Sequence, residues 1–353
     1  MKKSLLALAV LSAFASAASA QSSVTLSGSL DAGIRRVGTA TSNDWQVGGS
    51  QAGYNNFTIS GREDLGGGMA AFFAMNHRFA INNGTVNSQS NTCSGTVPTP
   101  TPAVCSPVNT FFRNVWVGLA GGFGDVRVGR ILMPLQDMNG GFDAFATGTV
   151  GSTHTGGITA TIRANNAIYY RSPSLGGLKF EAAIAAGEGQ LQGETANNVG
   201  SVAPRNPLAG QERPTGFSVR YAAGPLNVGV AYDKNYADYK TTGVYGAYDF
   251  GAFRLLAQFE KGDSNNAGGT APEDLKNFSI GVTAPFGPVL MRAGYVRFDS
   301  NVTGKDASKF GFGGDYNLSK RTNLYATVGK SSGDRLSTAA KKAAFDLGVT
   351  HRF

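Results

Sequence analysis

Five arginines, Arg35, Arg62, Arg78, Arg127 and Arg163, fall on the polar side of segments in which apolar and polar residues alternate. A guanidinium carries five donors and no acceptor, and it stays charged at any ordinary pH. Several on one wall make a field that concentrates anions. The competing reading is that they pair with Glu63, Asp64, Asp143 and similar acids and only stiffen the wall. Asp137 and Asp143 stand in a stretch, 131–162, where the alternation stops. They could ligate a metal or work as an acid/base pair, but a loop charge facing the arginines is the better reading. His77, His154 and His351 lie far apart in sequence and have no metal-ligand spacing. Catalysis would require a nucleophile paired with a histidine, and only His154, inside that stretch, offers an opening for it. Gly66-Gly-Gly68 is followed by no helix and no Lys-Ser, so it is not a phosphate loop. The expectation is a protein that is not an enzyme and needs no cofactor or metal.

These side chains must be positioned by strands. Val24, Leu26, Leu30, Ala32 and Ile34 share one parity, and Thr25, Ser27, Ser29, Asp31 and Arg35 share the other. Phe57 and Ile59 alternate with Thr58, Ser60 and Arg62. Met69, Ala71, Phe73 and Met75 oppose Ala70, Ala74, Asn76 and Arg78. Val115, Val117 and Leu119 oppose Asn114, Trp116 and Gly118, and Val126 and Val128 flank Arg127. Period-two alternation marks strands with one apolar face. Further strands centre near Val219, Val228, Val244, Leu255, Ile280, Met291, Phe312 and Ala326. Short turns, such as Ala223-Gly-Pro225, alternate with longer polar loops. The pattern predicts an all-β chain of about sixteen strands. The last segment, Phe345 to Phe353, places Phe345, Leu347, Val349, His351 and Phe353 on one face. Pairing it with Val24–Ile34 would close the sheet and leave no edge.

Composition agrees. Glycine is plentiful at 49 residues of 353, Phe and Tyr number 22 and 12, and charged residues make up only 15%. No stretch approaches the roughly 20 apolar residues of a membrane helix. Lys2 and Lys3, the apolar run Leu5 to Leu11 and Ala18-Ser-Ala20 predict an export signal over 1–20, cleaved between Ala20 and Gln21. Residues 21–353 would then be one barrel domain. The formal charge of +8 falls to +6 without Lys2 and Lys3. No nucleic-acid motif accompanies it, so no nucleic-acid partner is expected and a basic interior acting on anions is preferred. Cys93 and Cys105 flank Pro98-Thr-Pro-Thr-Pro102, and in an oxidising compartment they predict one disulfide.

The stretch 131–162 carries Asn139-Gly-Gly-Phe-Asp-Ala-Phe-Ala-Thr-Gly148. A connection this long is functional or disordered, and Phe142 and Phe145 need something to pack on. Two readings stand: a loop folded into a barrel, where it narrows a pore, or an exposed surface loop.

Gly61-Arg-Glu-Asp-Leu-Gly-Gly-Gly68, Phe112-Arg-Asn-Val-Trp-Val-Gly-Leu119, Phe123-Gly-Asp-Val-Arg-Val-Gly-Arg130 and Ile162-Arg-Ala-Asn-Asn-Ala-Ile-Tyr-Tyr170 resemble the general porins of beta-proteobacteria, the neisserial and Bordetella-type group. The match runs from the export signal to the terminal Phe353. The resemblance implies a transmembrane antiparallel barrel of sixteen strands, with the third extracellular loop folded inward as the constriction. It also implies a homotrimer in the outer membrane of a Gram-negative bacterium, set in lipid and lipopolysaccharide and inserted by the barrel-assembly machinery through Phe353. Arg163 takes the place of the family's constriction arginine, and Asp143 that of a loop acid. The sequence departs at Asn76, where relatives often carry Glu, and at Asn56 and Asn114, where some carry arginine. The implied activity is passive diffusion of small hydrophilic solutes, biased toward anions. The alternatives are a channel specific for phosphate or a dicarboxylate, and an adhesin displayed on a barrel.

Overall fold

The computed structural model describes residues 23–36, 45–49, 54–85, 91–93, 105–107, 112–146, 148–153, 162–186, 213–235, 238–265, 272–302, 306–334 and 342–353. The predicted signal segment with Ala20 and Gln21, and His154, lie outside them. The strands are β1 (Ser23–Arg36), β2 (Trp45–Gly49), β3 (Asn56–Gly66), β4 (Met69–Arg78), β5 (Asn91–Cys93), β6 (Cys105–Pro107), β7 (Phe112–Gly121) and β8 (Gly124–Leu132). Helix α1 (Pro134–Gly141) follows. Then come β9 (Arg163–Arg171), β10 (Leu178–Ala185), β11 (Thr215–Ala223), β12 (Leu226–Lys234), β13 (Lys240–Asp249) and β14 (Arg254–Asn265). The chain ends with β15 (Pro272–Phe286), β16 (Val289–Ser300), β17 (Ala307–Asn317), β18 (Thr322–Ser332) and β19 (Ala343–Arg352).

Sixteen of these strands form one closed antiparallel barrel. Strand β1 makes the seam. Its first half pairs with β3, from Ser23↔Arg62 to Ser29↔Asn56. Its second half pairs with β19, from Ser29↔Arg352 to Arg36↔Phe345. Gly28 and Phe353 exchange both backbone hydrogen bonds at 3.0 Å, so the final residue is tied into the wall. The short β2 lies against the second half of β1. The predicted strand centres all lie within β11 to β18. Strands β14 and β15 pair as far as Asn265↔Pro272, so they run on into what the alternation marks as a polar loop.

The outer face is a continuous apolar surface. Val24, Val117, Val230, Phe278 and Leu347 are all exposed. Polar residues of the opposite parity are buried, among them Asp233, Glu260, Asn277 and Asp346. A soluble protein would invert this pattern; a wall facing lipid requires it, since its backbone groups are already satisfied between strands. No described helix is long and apolar enough to cross a membrane.

Candidate functional site

The segment from Met133 to Thr153 is not structureless. Pro134 at the first helical position has a pre-set φ and no N–H to lose, and Asp137 lies in the positively polarised first turn. Helix α1 buries Leu135 and Met138, and its Asn139 is fully buried as well. It packs on β10, β11, β12 and β13, on the face opposite the exposed apolar residues. Phe142 packs at a tilt against Tyr245, with ring centroids 5.5 Å apart. Asn139 donates to the carboxylate of Glu260, which also accepts from Tyr245 Oη at 2.8 Å and Asn277 Nδ2 at 3.2 Å. Glu260 has no exposed surface, and its partners are the neutral donors a buried carboxylate needs.

Beyond the helix, the chain continues across β15 to β19. Arg292 holds the carbonyl of Ala144, with its other nitrogens on Asp315. The amide of Val150 donates to Asp346 Oδ2 at 2.7 Å. The wall permits this approach because it carries glycine where the segment passes. A methyl on Gly281, Gly294, Gly311 or Gly329 would collide with Ala144, Thr153, Gly151 or Val150, respectively.

A second group lies on β4, β7, β8 and β9, at the ends nearest the long connections. The guanidinium of Arg78 stacks on Tyr54, 3.2 Å from the ring centroid, with that of Arg113 at 5.5 Å. Arg163 Nε donates to Asn114 Oδ1 at 2.7 Å. Arg130 Nε donates to the carbonyl of Arg113 at 3.1 Å, and Nη1 reaches Asn165. The charges that act on Arg163 are those of Arg113, Arg78 and Arg130. Asn76, beside them, is engaged by Thr58 Oγ1 at 2.8 Å and Asn56 Oδ1 at 3.2 Å.

The remaining predicted residues fall elsewhere. Arg127 bonds Asp125 at 2.7 Å and lies over Trp116 and Tyr169, so it braces the wall. Arg35 and Arg62 are exposed, Arg35 opposite Asp346 and Arg62 opposite Phe72. Asp137 is exposed on α1. Asp143 is not beside Arg163. It is buried, accepts from Ser152 Oγ at 2.6 Å and Thr153 Oγ1 at 2.8 Å, and acts on Lys309 of β17. Strict alternation is also broken along β9. Asn166 has φ +50°, and Ala164 and Ala167 are both buried. Arg163 reaches the group through Asn114 rather than by simple alternation. In the β5–β6 pair, the backbone of Cys93 lies opposite that of Cys105.

Sequence reasoning missed Tyr54, Arg113 and Arg130. In the alternation, Arg113 shares the parity of Val115 and Val117, and Arg130 that of Val126 and Val128. The register shifts at Asn76/His77 and Gly129/Ile131 break that parity. A bulge re-aims the side chains beyond it. An arginine on an otherwise lipid-facing parity is itself the available signal, since it would cost about 2–4 kcal/mol at mid-membrane.

Comparison with known proteins adds the following. The model of the Gram-negative porin family matches residues 7–336. Outer membrane porin protein 32 of Delftia acidovorans is 32% identical over 351 residues, covering 93% of this chain and 89% of its own length. An outer membrane porin protein of Bordetella pertussis is 28% identical over the full length of both chains. Among solved structures, an anion-selective porin from Comamonas acidovorans superposes with a TM-score of 0.74 at 26% identity, over 94% of this chain and 100% of that one.

Proposed function

The chain belongs to the Gram-negative porin family, and from that premise we propose that each barrel is a passive outer-membrane channel for small hydrophilic solutes, narrowed by Met133–Thr153 and biased toward anions by Arg78, Arg113, Arg130 and Arg163. Sixteen strands leave an interior wide enough for an aqueous passage. A segment that packs against β10 to β19 on the inner parity takes up part of that interior, and no catalytic step is required. The observation that carries the anion bias is the arginine group itself: the charges around Arg163 are of its own sign. Like charges brought together in a narrow, low-dielectric passage raise the local anion concentration. The anion-selective description of the Comamonas porin belongs to that protein and supports the same reading here.

The proposal includes a leader over 1–20, a Cys93–Cys105 disulfide and assembly as a homotrimer in lipid and lipopolysaccharide. Purified protein added to a planar bilayer should produce discrete, long-lived conductance steps in potassium chloride. Insertion without steps would favour the adhesin alternative.

A further inference from the structure

The outer face is not uniform. Most outward positions of β11 to β15 hold large side chains, but Gly246 of β13 and Ala257 of β14 face one another across the sheet. The shortfall opens an apolar furrow of about 540 Å³, walled by Tyr221, Val228, Val244, Phe259 and Phe278. On the side of the long connections, the apolar band ends directly at this furrow. Lys261 follows Phe259 on the same face and Lys276 precedes Phe278, and both lysines are exposed. They are direct cross-strand partners, and Arg297 of β16 lies opposite Phe278. Like charges directly opposed across an antiparallel pair destabilise it. Among the described residues neither lysine has a salt bridge. The nearby acids are placed otherwise. Asp299, opposite Lys276, holds Arg297 at 2.6 Å, and Asp263 and Asp274 oppose one another one row farther toward the loops. Along the wall the order is therefore apolar furrow, lysine pair, acids.

We propose that Lys261, Lys276 and the furrow beside them seat the lipid A end of one lipopolysaccharide molecule, with a phosphate on the lysine pair and an acyl chain along Gly246 and Ala257. This rests on the lipopolysaccharide surroundings proposed above and gives them a point of attachment; it does not depend on what passes through the barrel. Long connections face outward in outer-membrane barrels, so the occupant comes from the outer leaflet. A lipid whose phosphate stands immediately above its chains matches the step from furrow to lysines. Each ammonium acts on the phosphate as a point charge, and a phosphate between the two also relieves their mutual repulsion. Within a bilayer the furrow offers no hydrophobic gain, since lipid tails are as apolar as its walls. It selects by fit, giving the chain close contacts on two sides.

The test is to titrate bisphosphorylated lipid A into the barrel, refolded free of lipid in mild detergent, and to count bound lipid by native mass spectrometry. Dephosphorylated lipid A and phosphatidylglycerol are run in parallel. The parent should saturate at one lipid A per barrel and hold the other two lipids less tightly. Lys261→Gln combined with Lys276→Gln should bind lipid A roughly thirtyfold more weakly, because two charges near the phosphate are lost. Gly246→Leu fills the furrow from its floor while keeping both lysines. It should also weaken binding, which covers the case in which the double variant refolds poorly. No saturable binding by the parent, equal binding by parent and both variants, or phosphatidylglycerol held as tightly as lipid A overturns the site. Conductance of the same preparation in bilayers without lipid A decides the channel reading separately. A parent that conducts but binds no lipid A loses only this site. If it does not conduct, the channel reading fails, and the lipid count still decides the site.

Discussion

Gly311→Ala tests how the segment Met133–Thr153 is seated. A methyl at this position would lie 2.6 Å from the carbonyl carbon of Gly151 and closer still to its oxygen. Ordinary contact needs about 3.4 Å or more, so the segment must retreat by at least about 0.8 Å. The obstacle is backbone, which cannot rotate aside as a side chain can. The retreat is away from β17. It also pulls on the neighbouring bond from Val150 to Asp346, now 2.7 Å long. A stretch of that size takes it past useful length, and a hydrogen bond to a charged group contributes about 1.5–3 kcal/mol. Single-channel conductance should therefore fall, and current fluctuations should grow as the segment loses its hold. Gly246→Ala is the matched control, since a methyl there comes no nearer than 4.0 Å to Val228. If both variants conducted like the parent, the segment would not be seated on β17 as described.

Other expectations follow from the same contacts. Glu260→Leu strips the shared acceptor from Asn139, Tyr245 and Asn277 and should destabilise the seated segment by about 3 kcal/mol or more; the thermal transition should drop, and Glu260→Gln should lose less. Asp143→Asn should leave the zero-current potential nearly unchanged, because that carboxylate is spent on Ser152 and Thr153, whereas Asp137→Asn, on an exposed acid, should raise anion preference; the reverse order would mean the acids have been misplaced. Mass spectrometry without reductant should find the Cys93 and Cys105 peptides joined, and two free thiols would contradict the bond; its loss should leave the barrel intact, since so short a loop contributes at most about 3 kcal/mol.

The alternation of Val24 to Ile34 and of Phe345 to Phe353 was enough to foresee a closed barrel, because a single parity must face lipid along every strand. It did not reveal that β1 divides its pairing between β3 and β19, since register depends on contacts between segments far apart in sequence. Helix α1 was locally signalled by Pro134 and Asp137, but the glycines after it mask the helical period. The candidate site was only half legible. Arg78 and Arg163 lie on polar parities and stood out. Arg113 and Arg130 are carried in by bulges, and a bulge breaks the one rule that strand reading relies on. Asp143 looked like a pore acid by type; its partners, Ser152 and Thr153, decide otherwise. The glycines at 281, 294, 311 and 329 each read as an ordinary strand residue, and their shared role emerges only when β15 to β18 are side by side.

The central claim is that the arginines grouped on β4, β7, β8 and β9 set the sign of the passage. The most direct measurement is the zero-current potential across a dilute potassium chloride gradient, where screening extends over tens of ångströms. The parent should give the sign of chloride preference, and Arg78→Gln combined with Arg163→Gln should move the potential toward that of potassium. A parent that prefers potassium, or a double variant with the parent's potential, would contradict the account.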